Sequence, residues 1–239
     1  MAAMGLPAVV GVLAAVIVCG LVGLLIYICT AAPMLDAPQF ETRVFIATIG
    51  FGAVVENVVL SLFGPQPTRQ PLNMAGDIVI GAVHIPNQNL LILGVALGLM
   101  AAIGLLLKRS RLGRAIRATA QNREAAQLMG VRVGQIYALV LMISGGLAAI
   151  SGIMISSLSS LLPNMGGDPM LKAFIICILA GLGNVTGAVI SAIALGLLEA
   201  TLQYNLGVQY SFALLLLLVI VVLIWRPYGV FGRRQVVRL

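Results

Sequence analysis

"KRSRLGRAIRATAQNREAAQLMG", Lys108–Gly130, interrupts a chain that is 61% hydrophobic. With Arg132 just after it, the stretch holds seven of the fourteen Lys and Arg residues and one acid, Glu124, a net of +6 within a chain total of +7. Base concentrated at one place in an oily chain reads as a loop held on the cytoplasmic side of a membrane. With that loop placed inside, counting crossings orients every other segment.

The composition supports a membrane setting. Only 9% of the 239 residues are charged and the mean hydropathy is +1.11, whereas globular proteins are about a quarter charged. Several apolar runs reach the roughly 20 residues that a helix needs to cross a bilayer core of about 30 Å. A β-barrel requires short alternating segments instead. The expected fold class is therefore all-α, a polytopic transmembrane helix bundle, read as a single transmembrane domain over residues 1–239. Cys19, Cys29 and Cys177 are scattered without metal-ligand spacing and read as small reduced hydrophobes. No metal or catalytic site is expected. The charge excess sits in one loop, so it does not point to nucleic acid. The first run, from Pro7 to Ala32, lacks a basic flank and is too long for a cleavable signal.

Spans are expected near 7–32, 43–63, 88–107, 133–162, 171–203 and 208–225. The loop 64–88 then faces outside; within it "DIVIGAVHI" predicts a hairpin turning at Gly81-Ala82. The loop from Pro33 to Thr42 is inside, which leaves the "MAAMG" start outside without a basic anchor and suggests a missing upstream span. "LLPNMGGDP" after the fourth span reads as an outer turn, and His84, remote from any ligand partner, as a surface residue. The C-terminus carries Arg226, Arg233, Arg234 and Arg238 beyond Trp225 and belongs inside. That parity holds only if 171–203 enters and returns. "AGLGNVTGA", Ala180–Ala188, supplies the break: Gly181, Gly183, Asn184 and Gly187 interrupt the helix, and Thr186 lies among them as a further candidate pathway residue. The first leg, Leu171–Gly183, covers only about 20 Å at 1.5 Å per residue. Irregular backbone at membrane depth is tolerated where it is buried in protein or lines a wet cavity, which makes this stretch a candidate for a translocation path. Close helix packing by small residues is the alternative.

"NREAAQLMG" reads as a self-terminating helix of about two turns. Asn122 is a good N-cap, Glu124 falls in the first turn, and Gly130 suits the position past the end. Upstream, Arg111, Arg114 and Arg117 spread over roughly 120° of a helical wheel. That spread predicts no clean amphipathic stripe, and two short helices rather than one long one. Such a segment serves as a positive-inside anchor touching anionic lipid, or as a rigid knob for an external partner.

"LGRAIRATAQNREAAQLMGVRVGQIYAL", "GGLAAISGIM", "PNMGGDPMLKAFIICILAGLGNVTGAVISAIALGLLEA" and "WRPYGVFG" occur in order over about 108–232, and the weaker "IATIGFGAVVENVVLSLFGP" extends the likeness back to Ile46. Together they resemble the LivH/LivM-type permease subunits of branched-chain amino acid ABC importers. The resemblance implies a bacterial inner-membrane protein with the 108–132 segment and the C-terminus cytoplasmic. It also implies a second permease subunit (a copy or a paralogue), two cytoplasmic ATPase subunits and a periplasmic substrate-binding protein. It assigns ATPase docking to Glu124, Ala125, Ala126 and Gly130, with Arg114 and Arg117 beside them. Two departures from related importers stand out. The "I-LP" tail is absent after Gly130, and the family's first spans, with an "NFAHG"-like stretch, are not present.

No GxxxxGK followed by Ser or Thr occurs in the chain, so it carries no P-loop for the phosphates of ATP. No cofactor is expected on this chain, and ATP is used by the partner subunits. Glu56 and Asn57 lie within a span, with Thr48, Gly52 and Glu56 on one face at i, i+4 spacing. Glu56, Asn57 and Glu199 are each read as pathway residues or as polar contacts between helices. The cargo implied is a branched-chain amino acid, with urea or a short amide as the alternative. An ion-coupled carrier also uses broken helices. A membrane-embedded enzyme requires converging nucleophile, base or metal ligands, which the spans lack.

Overall fold

The structure is a computed structural model and describes residues 8–35, 37, 40–68, 76–80, 83–181, 184–226 and 229–230. Six helices are long and apolar enough to cross a membrane: Val10–Met34, Thr42–Phe63, Asn87–Arg109, Val133–Leu158, Thr186–Leu206 and Val208–Trp225. The protein is thus an all-α, multi-pass membrane protein, with one short hairpin as its only sheet among the described residues. The chain divides into two compact units, Met1–Met165 and Gly166–Leu239.

In the first unit α1 (Ala8–Ile26) runs on through a π-helical turn, Tyr27–Ala31, and a 3-10 turn, Ala32–Met34. Then come α2 (Phe40–Phe63), β1 (Asp77–Ile80), β2 (Val83–Pro86) and α3 (Asn87–Arg109). The unit closes with α4 (Arg111–Gln121), α5 (Arg123–Leu128) and α6 (Val133–Leu158). The expected hairpin forms: β1 and β2 pair antiparallel with Ile80 opposite Val83, while its Gly81-Ala82 turn lies outside the described residues.

The main packing of this unit is α1 against α6. Lipid tails are as apolar as leucine, so such helices associate through close fit at small residues. A Cβ on Gly23 falls 2.3 Å from the Leu141 carbonyl oxygen, and one on Gly145 falls 2.3 Å from that of Cys19. These glycines let the two backbones touch, with the helices antiparallel. At one end, Thr68 and Leu161 form a bridge and Gln88 Nε2 donates to Ser157 Oγ at 2.8 Å. At the other, the base of α2 packs on the turns after α1.

The basic segment does divide into two helices, α4 and α5, but α4 is more one-sided than expected. Leu112, Gly113, Ala115, Ile116 and Thr119 turn inward, while Arg111, Arg114 and Arg117 are exposed. The arginine directions are spread, yet Leu112, Ile116 and Thr119 recur at helical spacing on the face they leave free. Ser110 caps α4, its Oγ accepting from Gly113 N at 2.8 Å.

The second unit contains α7 (Gly167–Ala180), α8 (Val185–Leu206) and α9 (Val208–Trp225) around a core of Leu179, Leu195, Leu215 and Val219. The expected break separates α7 from α8. Gly181 ends α7 at φ 81°, and Asn184 Oδ1 caps α8 by accepting from Gly187 N at 3.0 Å. Val230 N donates to Leu179 O at 2.7 Å, so the break sits beside the segment that follows α9, at the end of the unit.

Candidate functional site

Among the described residues, α5 is a short helix closed at both ends by its own neighbours. Asn122 Oδ1 accepts from Ala125 N at 2.9 Å, and Glu124 lies in the first turn, where the helix dipole favours an anion. At the far end Gly130 adopts φ 83° and donates to Gln127 O at 2.9 Å, while Val131 N reaches Ala126 O at 3.0 Å. Both termini are closed within nine residues, Asn122 to Gly130. Ala126 is buried beneath the helix, and Glu124, Ala125 and Gly130 are exposed.

Sequence reasoning missed the next feature. Leu128 and Met129 are 87% and 85% exposed at the tip of this turn. In so apolar a chain two more apolar residues carry no signal; only the folded turn shows them unpartnered among the described residues.

The base of the knob is fixed. The Arg123 guanidinium lies 4.7 Å from the centroid of the Phe40 ring, and that ring stands 5.3 Å from Tyr137. A cation over an aromatic face contributes roughly 0.5–1 kcal/mol at an exposed site. The stack ties α5 to the start of α2 and to α6. Between them opens a cleft of about 370 Å³ lined by Phe40, Thr42, Thr119, Gln121 and Tyr137. Arg117 is occupied: its Nη1 donates to Leu107 O and closes the C-terminus of α3. Arg114 is exposed beside it.

Of the expected pathway residues, Glu56 and Asn57 belong to the first unit and the others to the second. Glu56 and Asn57 are exposed on α2; Asn57 Nδ2 donates to Ala53 O at 2.8 Å, a bond within its own helix. Asn184, Thr186 and Gly187 stand at the start of α8, and Gly183 lies outside the described residues. Glu199 is paired with Lys172, which sequence reasoning did not single out: Nζ lies 2.5 Å from Oε1. No cluster of His, Cys, Asp and Glu suited to a metal occurs among the described residues.

Six long apolar helices, with the short α4 and α5 set between α3 and α6, make this a multi-pass helical membrane protein. The chain belongs to the family described as branched-chain amino acid transport system, permease component, which matches residues 1–224. It is 32% identical over 197 residues to the high-affinity branched-chain amino acid transport system permease protein BraD of Pseudomonas aeruginosa, covering 80% of this chain and 64% of that protein. Against the permease protein LivH of Escherichia coli K12 the identity is 29% over the same shares. The autoinducer 2 import system permease protein LsrC of Yersinia enterocolitica is 31% identical over 44% of this chain and 31% of its own length. The chain thus spans slightly less than two thirds of the length of the first two relatives. No solved structure matches it.

Proposed function

We propose that the chain is a transmembrane permease subunit of an ATP-driven importer whose cargo is a branched-chain amino acid. It pairs with a second permease subunit in the bacterial inner membrane, receives cargo from an extracytoplasmic binding protein and is driven by two cytoplasmic ATPase subunits. Residues 108–132 and the C-terminus face the cytoplasm. ATP is bound and hydrolysed by those partners, not by this chain.

The observation that carries the reading is the α5 knob. Its termini need no partner, its base is clamped through Arg123, and its tip presents Leu128 and Met129 to solvent. Exposed apolar anchors on a rigid support are how a small interface gains affinity. Docked in an ATPase cleft, Glu124, Ala125 and Gly130 border the contact and Arg114 lies at its edge. Closure of the ATPase dimer moves the knob, and the Arg123–Phe40–Tyr137 stack passes that motion to α2 and α6. Coupling requires that the ATP-bound and free states hold the knob differently.

The test is co-purification with the ATPase subunits together with L-leucine uptake by proteoliposomes, urea serving as the comparison cargo. Leu128→Asp with Met129→Asp is expected to weaken ATPase capture by at least about 30-fold, roughly 2 kcal/mol for a lost anchor pair. Capture at wild-type strength in that variant, or ATP-linked uptake surviving Glu124→Lys with Gly130→Trp, refutes the coupling role.

A further inference from the structure

The second unit holds a polar cluster that the coupling surface does not use. Lys172 Nζ and Glu199 Oε1 are 2.5 Å apart, and Gln203 Nε2 donates to the same oxygen at 3.1 Å. The Glu199 side chain is 19% exposed and that of Lys172 37%. Beside the pair is an apolar cleft of about 100 Å³ lined by Ile175, Ile176, Ala192, Leu195, Phe212 and Leu215. Glu199 belongs to a helix long and apolar enough to cross the membrane, about 21 Å along α8 from its start at 1.5 Å per residue. Eight residues back on α8, Ser191 Oγ is buried with no hydrogen-bond partner among the described residues.

A helix staple needs no ion pair, since apolar packing holds helices together as well or better. Nor does a staple need a cleft beside it. Ionisable groups within a span are costly and mark functional positions.

We infer that Lys172, Glu199 and the adjoining cleft form a binding site for the zwitterion of an apolar α-amino acid. The carboxylate sits on the Lys172 ammonium, the α-ammonium on the Glu199 carboxylate, and the side chain enters the cleft. The inference rests on the amino-acid import proposed above.

Charge balance selects the ligand. Opening the pair for a simple anion leaves Glu199 without a counter-charge, and a simple cation strands Lys172; each is unfavourable away from water. A zwitterion inserts between them and leaves every charge opposed. The four-carbon stem of Lys172 swings aside by rotamer change, while Gln203 keeps hold of the Glu199 oxygen. Size selects the side chain. A cavity of about 150 Å³ accepts benzene, so the smaller cleft here suits a branched side chain of about four carbons, with the polar end left at the pair.

The test titrates the purified permease–ATPase complex, without its receptor, with L-leucine, isoamylamine and 4-methylpentanoate. Wild type is expected to bind L-leucine at least tenfold more tightly than either singly charged analogue. Glu199→Gln and Lys172→Gln are expected to abolish that preference, and Ala192→Phe to weaken L-leucine at least tenfold by filling the cleft. Lys172→Glu with Glu199→Lys restores the pair, so melting returns to the wild-type temperature. Leucine binding does not return, because the reversed zwitterion turns its side chain out of the cleft. Restored binding in that double variant, or an intact preference in Glu199→Gln, overturns the site. If the wild-type complex with its receptor takes up no apolar amino acid, the proposed import fails and this site with it. Wild-type uptake rates in Glu199→Gln remove the site alone.

Discussion

Gly130 and Gly229 hold nearly the same backbone angle, φ 83° and 82°, for different reasons. A Cβ at Gly130 meets nothing within 4 Å, whereas one at Gly229 falls 2.5 Å from Ile178 O and 2.7 Å from Gly181 N. Gly130→Ala therefore carries only the left-handed backbone penalty, about 1–2 kcal/mol. Gly229→Ala adds a collision with backbone that cannot yield, and is expected to exceed roughly 2 kcal/mol once the overpacking is included. Thermal unfolding in detergent should rank the two that way, and the opposite order excludes the docking of Val230 on Leu179. The pair also shows what can be read from residues alone. Gly130 follows an N-cap eight positions earlier and a helix of fitting length, so its role is local and legible. Gly229 is constrained by residues about fifty positions away, and nothing beside it reports them. Lys172 escaped for the same reason, since its partner lies 27 residues on, across the break.

At the scale of elements, legibility follows whether a signal is local or shared. The caps of α5 and the break between α7 and α8 are written in short polar and glycine stretches and were expected as found. The partner of α1 was not, because a helix apolar all round has no stripe to point inward, and α1 is such a helix. What selects their contact face is the absence of side chains at Gly23 and Gly145, where the backbones meet. Gly23→Leu or Gly145→Leu must push the helices apart, with an expected loss of at least roughly 1–3 kcal/mol. Gly11 is on the same helix, but a Cβ there meets nothing within 4 Å, so Gly11→Leu should be close to neutral. Unfolding of the purified chain by detergent titration measures all three. Equal effects at Gly11 and Gly23 contradict the α1–α6 contact.

For the whole molecule the decisive question is which way each unit faces, and the first unit supplies two distinguishable ends. One holds the hairpin, with Gln88 on Ser157 and Thr68 paired to Leu161; the other holds α4 and α5, with Arg123 over Phe40. The charge asymmetry is the ground for the proposed sides: seven of the fourteen Lys and Arg residues lie between Lys108 and Arg132, and basic loops tend to stay in the cytoplasm. The chain has three cysteines, so a cysteine-free background is within reach. On it, His84→Cys is expected to react with a membrane-impermeant maleimide in intact cells, and Gln121→Cys only after permeabilisation; both positions are exposed. Arg226→Cys, exposed at the end of α9, tests the second unit separately and is expected to be protected with Gln121. If Gln121 labels from outside, Leu128 and Met129 are turned away from any ATPase, and the coupling role fails with the topology. If only Arg226 labels from outside, the first unit stands. In that case α7 and α8 do not together enter and return, and the side on which Glu199 meets its cargo is reversed.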